Sequence, residues 1–564
     1  MVKKLYPVLF VFFVAAIAYT RFQGIHWGLP YPFHPDERNM ANALEQLNCS
    51  SGSWLDCLNP HFFAYGQLPL YIAFFAIKIV HVVQGTLKQS ISFVEATLAL
   101  RFFAAFWSVV TVFISWKIMR SLRFFKNIAT LQMFFISLPI FVFIPSLIQF
   151  AHFGTTESFL MFCYTAVCYS ALQYIQNSWS DEKFAFYAAL VSGLAVGTKI
   201  SSVVFLVVPL VLLFFISIRK RKQFAFFKLI VRALQIVITS LLISVIVSPH
   251  TILHLADFLS AFRYESSVAQ GSVEVFYTRQ FFYSLPIWFQ SVRIFPYALG
   301  WPIFILCIAG IVGLKRNAET VFLRMAFILY FLPAALLFTK WSRFMAPVFP
   351  LMTIFAAITL LTLFKKAQNI KNRLIKYIAV ASLALVLVAS VIPGIAYLSI
   401  YNNEDIRFTA SKWMEKNILE GTLVLSETAN VVDLPVGVKP FTSFDFYSLD
   451  SDVNLQNDLV EQIEASEYIV VPSRRLFANH TCLVPSDGFT YDRCRGLEED
   501  YPILNEYYAS LFSGKLGYKK VAEFHSYPKI QIFGKTLIEF PDESAEETWT
   551  VFDHPVIRVY KKIN

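Results

Sequence analysis

About eleven apolar runs, each close to the length a helix needs to cross a bilayer, fill the first 400 residues and leave this chain little choice of architecture. They lie at roughly 5–21, 95–117, 128–148, 157–175, 184–199, 200–218, 228–248, 296–314, 319–338, 344–364 and 375–399. In hydrocarbon a segment must satisfy its own backbone N–H and C=O groups, so runs of this kind fold as helices. Only 15% of the 564 residues are charged and 56% are hydrophobic, with a mean hydropathy of +0.55. A large soluble enzyme would carry about a quarter charged residues. The expected fold class is therefore an α-helical polytopic membrane protein.

Residues 1–400 hold 32 basic and 12 acidic side chains, and residues 401–564 hold 16 and 26. The basic residues fall in short clusters between apolar runs: Lys3 and Lys4, Lys117 to Lys126, Arg219 to Lys222, Lys315 and Arg316, and Lys365 to Lys376. With the eleven spans above, all these clusters share one side, so the charge reports topology rather than nucleic-acid binding. The expected location is a cell membrane crossed many times, with the N-terminus cytoplasmic. Residues 22–94, 249–295 and the tail then face outward. The apolar run 67–85 would break this alternation, and it carries Lys78, His81 and Gln84. It reads instead as a juxtamembrane helix on the outer face. The first run lacks a small-residue cleavage site, being followed by Arg21-Phe22-Gln23, and reads as an uncleaved anchor.

Cysteines agree with this topology. Cys163, Cys168 and Cys307 lie within spans, whereas Cys49/Cys57 and Cys482/Cys494 are close pairs in outward segments, where disulfides persist. Zinc would need tighter spacing and His partners. The chain divides at residue 400: a transmembrane domain at 1–400, with its first outward loop at 22–94, and a C-terminal α/β extracytoplasmic domain at 401–564. In that domain 408–418 and 500–513 read as helices, and 422–426, 468–472, 519–525 and 549–560 as strands.

Against so few acidic residues, the pair in His34-Pro35-Asp36-Glu37 stands out. Pro35 suits the first turn of a helix, where the dipole favours negative charge, so capping is the plain reading. Capping needs one carboxylate and leaves His34 unexplained. His152-Phe153-Gly154-Thr155-Thr156-Glu157 repeats the pattern at the second outward turn. Arg101, Lys199 and Arg343 are the cations of that face; singly each could be a snorkelling anchor, but together they suit a lipid-linked phosphate. A carboxylate to take a hydroxyl proton, with cations to stabilise a departing phosphate, describes group transfer from a lipid phosphate.

In order along the chain, His34-Pro35-Asp36-Glu37, Asn59-Pro60-His61-Phe62, Gln67-Leu68-Pro69-Leu70-Tyr71, His152 to Glu157, Gly193 to Lys199 and Arg343 to Pro350 resemble the GT-C glycosyltransferases of the family 39 type. That type includes protein O-mannosyltransferases and lipid A aminoarabinose transferases. The resemblance covers about residues 1–400. It implies a polyprenyl-phosphate sugar as donor, an extracytoplasmic glycan, lipid or protein hydroxyl as acceptor, and inversion at the sugar carbon. Asp36 is then the general base and Glu37 its catalytic neighbour. His34, His152, Glu157, Arg101, Lys199 and Arg343 form the substrate-binding set, with Lys199 and Arg343 on the carrier phosphate. Relatives usually have Asp where this chain has Glu157. Some aminoarabinose transferases have Lys where it has Leu68, which argues against that substrate. No cofactor is expected, although carboxylates and His near a phosphate leave a divalent cation open. The alternative is a transporter or flippase of lipid-linked glycans, which predicts mid-membrane charges and internal repeats. Asn48-Cys49-Ser50 and Asn479-His480-Thr481 are glycosylation triplets.

Overall fold

The structure is a computed structural model that describes all residues except 1, 48–53, 127–129, 221–222, 428–433, 438–439, 484–489 and 564. Helices occupy every expected run. They are Val2–Phe22, Phe93–Ser121, Thr130–Val142 with Pro145–His152, Glu157–Ile175, Asp181–Val196, Ile200–Leu206 with Val207–Lys220, Gln223–Val247, Phe295–Leu299 with Trp301–Gly313, Ala318–Ala335, Ser342–Val348 with Phe349–Gln368, and Arg373–Asn402. By length and apolarity six helices among the described residues reach across a bilayer, or eight if each bent pair is one span. The expected eleven is not reached on that measure because several runs are short or broken. Asp181–Val196 has 16 residues. The run at 296–314, read as one helix, is cut at Gly300 (φ 81°), a backbone state that favours glycine, and its two pieces meet at 115°. Pro145 begins a new helix bent 50° from the one before.

Phe349–Gln368 is the bundle's central helix, apolar all round and almost wholly buried. Arg373–Asn402 by contrast exposes Leu374, Tyr377, Leu385 and Val388, as a lipid-facing helix should. The first loop forms two helices, Pro35–Glu45 and Leu68–Gln84, which pack with the start of Phe93–Ser121 around Met40, Leu44, Leu70, Phe74 and Leu100. The outer face of Leu68–Gln84 shows Phe75, Ile79, Val80 and Val83. An apolar face on a helix of 17 residues calls for a lipid or protein partner, as the juxtamembrane reading requires.

The tail holds a five-stranded sheet in the order β2-β1-β3-β7-β4, built from β1 (Val424–Glu427), β2 (Phe441–Phe444), β3 (Tyr468–Val471), β4 (Tyr518–Phe524) and β7 (Ile557–Lys562). β1 runs parallel to β2 and β3, and β7 runs antiparallel to β3 and β4. A separate hairpin pairs β5 (Lys529–Ile532) with β6 (Lys535–Glu539). Helices Ile406–Asn417 and Pro502–Ser513 lie where the sequence placed them. The strand expected over 549–560 begins only at Ile557, because Thr548–Val551 is a helical turn whose Trp549 is buried against the membrane half. There Gln149 Nε2 donates to the Trp549 carbonyl at 2.8 Å, and the Tyr397 and Tyr401 hydroxyls donate to Asp553. Val551 and Phe552 belong to the same hydrophobic core as the bundle. Cys482 and Cys494 are disulfide-bonded. Cys57 is also in a disulfide, but its expected partner Cys49 lies outside the described residues, as does Asn48. Asn479 is fully buried and its amide is bound to Gln280 N and the Arg475 carbonyl, so the second glycosylation triplet is not presented.

Candidate active site

The helix Pro35–Glu45 begins as its sequence dictates. His34 is the N-cap, its Nδ1 accepting from Glu37 N at 3.4 Å, Pro35 fills the first turn, and both acids follow. Successive helical residues point about 100° apart, so adjacent carboxylates cannot serve one spot. Asp36 turns to Arg343 and pairs with its Nη1. Glu37 turns the other way, to Arg101.

Glu37 and Arg101 form a sealed unit. Two parallel bonds, Nε to Oε2 at 2.8 Å and Nη2 to Oε1 at 2.6 Å, join side chains only 3% and 2% exposed. Arg101 Nη1 also donates to the Ile25 and Trp27 carbonyls, and its guanidinium lies over the Trp27 ring. Glu37 Oε2 accepts from Gly154 N at 2.6 Å, where a Cβ at 154 would press within 2.9 Å of Leu100. The unit thus ties the first loop to the Phe93–Ser121 helix and the 154 turn. With Nε, Nη1 and Nη2 all engaged and its side chain buried, Arg101 faces Glu37 and two carbonyls rather than the open cluster expected for a phosphate, and Glu37 is turned away from Asp36.

His152 is corrected in the same way. Its ring is fully buried, set between the Ile148 and Gln23 carbonyls at 2.8 Å each and stacked on Tyr401 at 3.7 Å. It fastens the second turn, with both ring nitrogens facing backbone carbonyls rather than the open cluster. His34 sits between the Phe153 and Phe552 rings, and burial pushes its pKa down, so it stays neutral as a cap.

The remaining expected residues do come together. Lys199 Nζ reaches Glu157 Oε1 at 3.3 Å and lies over the Tyr65 and Phe344 rings, while the Arg343 guanidinium lies over Trp341 and Phe344. Phe344 is shared by both cations, which makes Asp36–Arg343 and Glu157–Lys199 neighbours. Asp36 and Arg343 keep 19% and 22% of their side-chain surface exposed, and Lys199 16%. Arg343 Nε is buried without a partner. The turn carrying Arg343 is held from the tail, where Glu546 Oε2 accepts from Ser342 N at 3.1 Å.

Two residues of this cluster escaped the sequence reading. Tyr65 covers Lys199 because Gly66 N donates to the Thr198 carbonyl at 2.9 Å, in a contact so close that a Cβ on Gly66 would lie 2.1 Å from the Gly197 oxygen. Gly66 and Gly197 were the only available signal. Glu265, on the helix Leu255–Gln270, faces the charges of Arg343, Asp36 and Lys199, and no local pattern marks it.

The electrostatics favour an ionised Asp36. Burial alone would raise its pKa, but Arg343 first, then His34 and Lys199, hold it below the usual carboxylate value. Partial desolvation raises Glu265, and Asp36 adds to that against the pull of Arg343 and Lys199. Burial and the Asp36 charge keep the Tyr65 phenol protonated. Among the described residues no group of three His, Cys, Asp or Glu side chains is arranged to hold a metal ion.

Residues 66–263 match the family model described as dolichyl-phosphate-mannose-protein mannosyltransferase. The match includes Glu157 and Lys199 but begins after Asp36 and ends before Arg343. The structure is similar to that of the archaeal oligosaccharyltransferase AglB from Archaeoglobus fulgidus, in complex with an inhibitory peptide and a dolichol-phosphate. The TM-score is 0.51 at 12% identity, over 85% of this chain and 71% of that one. The fold is therefore that of this GT-C oligosaccharyltransferase, and the stretch from 66 to 263 carries the mannosyltransferase-type sequence pattern. ArnT from Cupriavidus metallidurans in the apo state is also similar, at 14% identity over 85% of this chain and 94% of that one, with a TM-score of 0.44. No curated protein matches the sequence. The matched family model is described as a transferase and lends the flippase alternative no support.

Proposed function

We propose that this chain is a membrane glycosyltransferase that moves a sugar from a polyprenyl-phosphate-linked donor to an acceptor hydroxyl outside the cytoplasm, with Asp36 as general base. The observation that carries the reading is the Asp36–Arg343 pair, partly exposed beside Lys199, with Arg343 Nε unpartnered. The donor phosphate binds Arg343 and Lys199, whose charges compensate the negative charge that grows on the leaving phosphate. Taking Arg343 releases Asp36 from its strongest partner, so its proton affinity rises as the acceptor arrives. The acceptor oxygen attacks the anomeric carbon, the bond from that carbon to the phosphate oxygen breaks, and the phosphate leaves with the electron pair. The hydroxyl proton passes to Asp36, and the sugar carbon is inverted. Glu157 holds Lys199 in place, and Tyr65 shields it from water.

In this reading the first loop and the tail face outward. The match to the mannosyltransferase model and the dolichol-phosphate bound to the similar archaeal oligosaccharyltransferase support this donor class. The acceptor is a glycan, lipid or protein hydroxyl. The test is transfer in proteoliposomes supplied with radiolabelled polyprenyl-phosphate sugars and a panel of glycan, lipid and Ser/Thr-peptide acceptors. A new glycosidic bond from one donor supports the proposal. Transbilayer movement of label with no bond formed overturns it.

A further inference from the structure

The β5–β6 hairpin is misplaced for a water-facing domain. Its tip residue Phe533 is 101% exposed, and Ile532, Leu537 and Ile538 are exposed around it. Phe533 (φ 49°) and Gly534 (φ 77°) form a two-residue turn with both φ positive, a shape that normally calls for Asn, Asp or Gly. A bulky aromatic there is unfavourable for folding and gains nothing from water.

The surface next to the hairpin explains it. Lys529 N donates to Ser399 Oγ at 3.1 Å, near the end of the lipid-facing helix Arg373–Asn402. A groove of about 550 Å³ runs between the two, lined by Ala389, Ile392 and Pro393 of that helix, Trp301 of the next, and Ile538 and Phe540 of the tail. Ala389 lies ten residues before Ser399, or about 15 Å along the helix, so the groove extends well into the apolar part of the span. The hairpin's apolar surface therefore continues that of a membrane helix. Lys535, exposed at the tip, is placed to reach lipid phosphates, as long cationic side chains do at an interface.

We infer that the hairpin Lys529–Glu539 is inserted in the leaflet beside it, and that the groove behind it holds an acyl chain of a bilayer phospholipid. The donor's isoprenoid chain is not the occupant. The groove shares no residue with the Asp36, Lys199 and Arg343 cluster, and its wall residue Tyr397 is bonded to Asp553, whose neighbour Phe552 packs on His34. The inference does not depend on the proposed reaction.

Cys163, Cys168 and Cys307 are buried and Cys57, Cys482 and Cys494 are in disulfides, so an added surface thiol can be labelled selectively. A polarity-sensitive fluorophore is placed on Phe533→Cys, and on Leu419→Cys as control, in the full chain in phospholipid nanodiscs. Leu419 is 81% exposed and separated from the membrane helix by the length of Ile406–Asn417. Phospholipids carrying a nitroxide on the acyl chain should quench the Phe533→Cys label several-fold more than the control. Equal quenching overturns insertion. For the occupant, phospholipid and polyprenyl phosphate each bearing a photoreactive chain are compared. Crosslinks from the phospholipid to the Ile538–Pro541 or Trp301 peptides support the assignment, and crosslinks there from the polyprenyl phosphate alone overturn it.

Discussion

Asp36 and Glu37 are neighbours in sequence and opposites in structure. Glu37 and Arg101 are sealed and doubly bonded, with every guanidinium nitrogen engaged; Asp36 and Arg343 are partly open, with a guanidinium nitrogen unpartnered. A buried pair whose three guanidinium nitrogens are all engaged holds elements together and gains little from a ligand. An open pair beside a second cation can exchange its partner. On the proposed reading, the difference teaches that charge and sequence spacing do not mark a catalytic carboxylate, whereas the freedom of its counter-ion does.

The comparison breaks most visibly by neutralising each acid in turn. Asp36→Asn should lower transfer by about 10²–10⁴-fold, the usual worth of a general base, with the unfolding temperature little changed. Glu37→Gln should do the reverse. It leaves the buried Arg101 charge uncompensated and should cost about 3–5 kcal/mol of stability, read as a lower unfolding temperature and less monodisperse protein in detergent. If Glu37→Gln folds normally and loses only activity, the division of roles is wrong.

Arg343→Lys sharpens the account of the open pair. A compact ammonium lacks the planar fork and the stacking on Trp341, so the donor KM should rise about tenfold, in line with the loss of one charge-assisted hydrogen bond. Transfer at saturating donor should fall less.

pH provides a smaller and more specific test. Because Asp36 has a depressed pKa in the free enzyme, it is ionised above the ordinary carboxylate value of about 3.9 and its pairing is lost only as pH falls through the lowered one. Once phosphate has taken Arg343, that pKa rises. The acid limb of kcat should therefore lie about one pH unit above that of kcat/KM for the donor. Coincident limbs would mean that Arg343 never leaves Asp36.

The sealed clusters have a pH signature of opposite sign. His554 lies between Asp553 and Asp542, which overcome burial and push its pKa up to about 10. Its contribution to holding the tail on the bundle is complete below the free imidazole value of about 6.5 and is lost as pH rises through about 10. Protease accessibility of the tail should increase modestly over that range, and less so in His554→Gln.

Much of this molecule was legible in its sequence because hydrocarbon imposes a strict pattern. Each apolar run became helix, and Asp36, Glu157, Lys199 and Arg343 met at one place. What was not legible depends on packing at long sequence range. Nothing near Glu37 announces Arg101, 64 residues away, and only the fold shows that His152 lies with both ring nitrogens against backbone carbonyls. Gly300 looked like part of a continuous span until its positive φ cut the helix, and Thr548–Val551 left the strand pattern because Trp549 is buried in the bundle. Tyr65 and Glu265 reach the site through loop docking, which no periodicity encodes.

The central claim is that Asp36 accepts the hydroxyl proton and shares Arg343 with the donor phosphate. Its most direct test is a single turnover: Asp36→Asn and the unaltered protein are loaded with radiolabelled polyprenyl-phosphate sugar, donor binding is measured, and acceptor is then added. The account predicts that the variant binds donor as tightly or more tightly, since Arg343 is freed, yet forms almost no glycosidic bond. A first turnover as fast as that of the unaltered protein would contradict it.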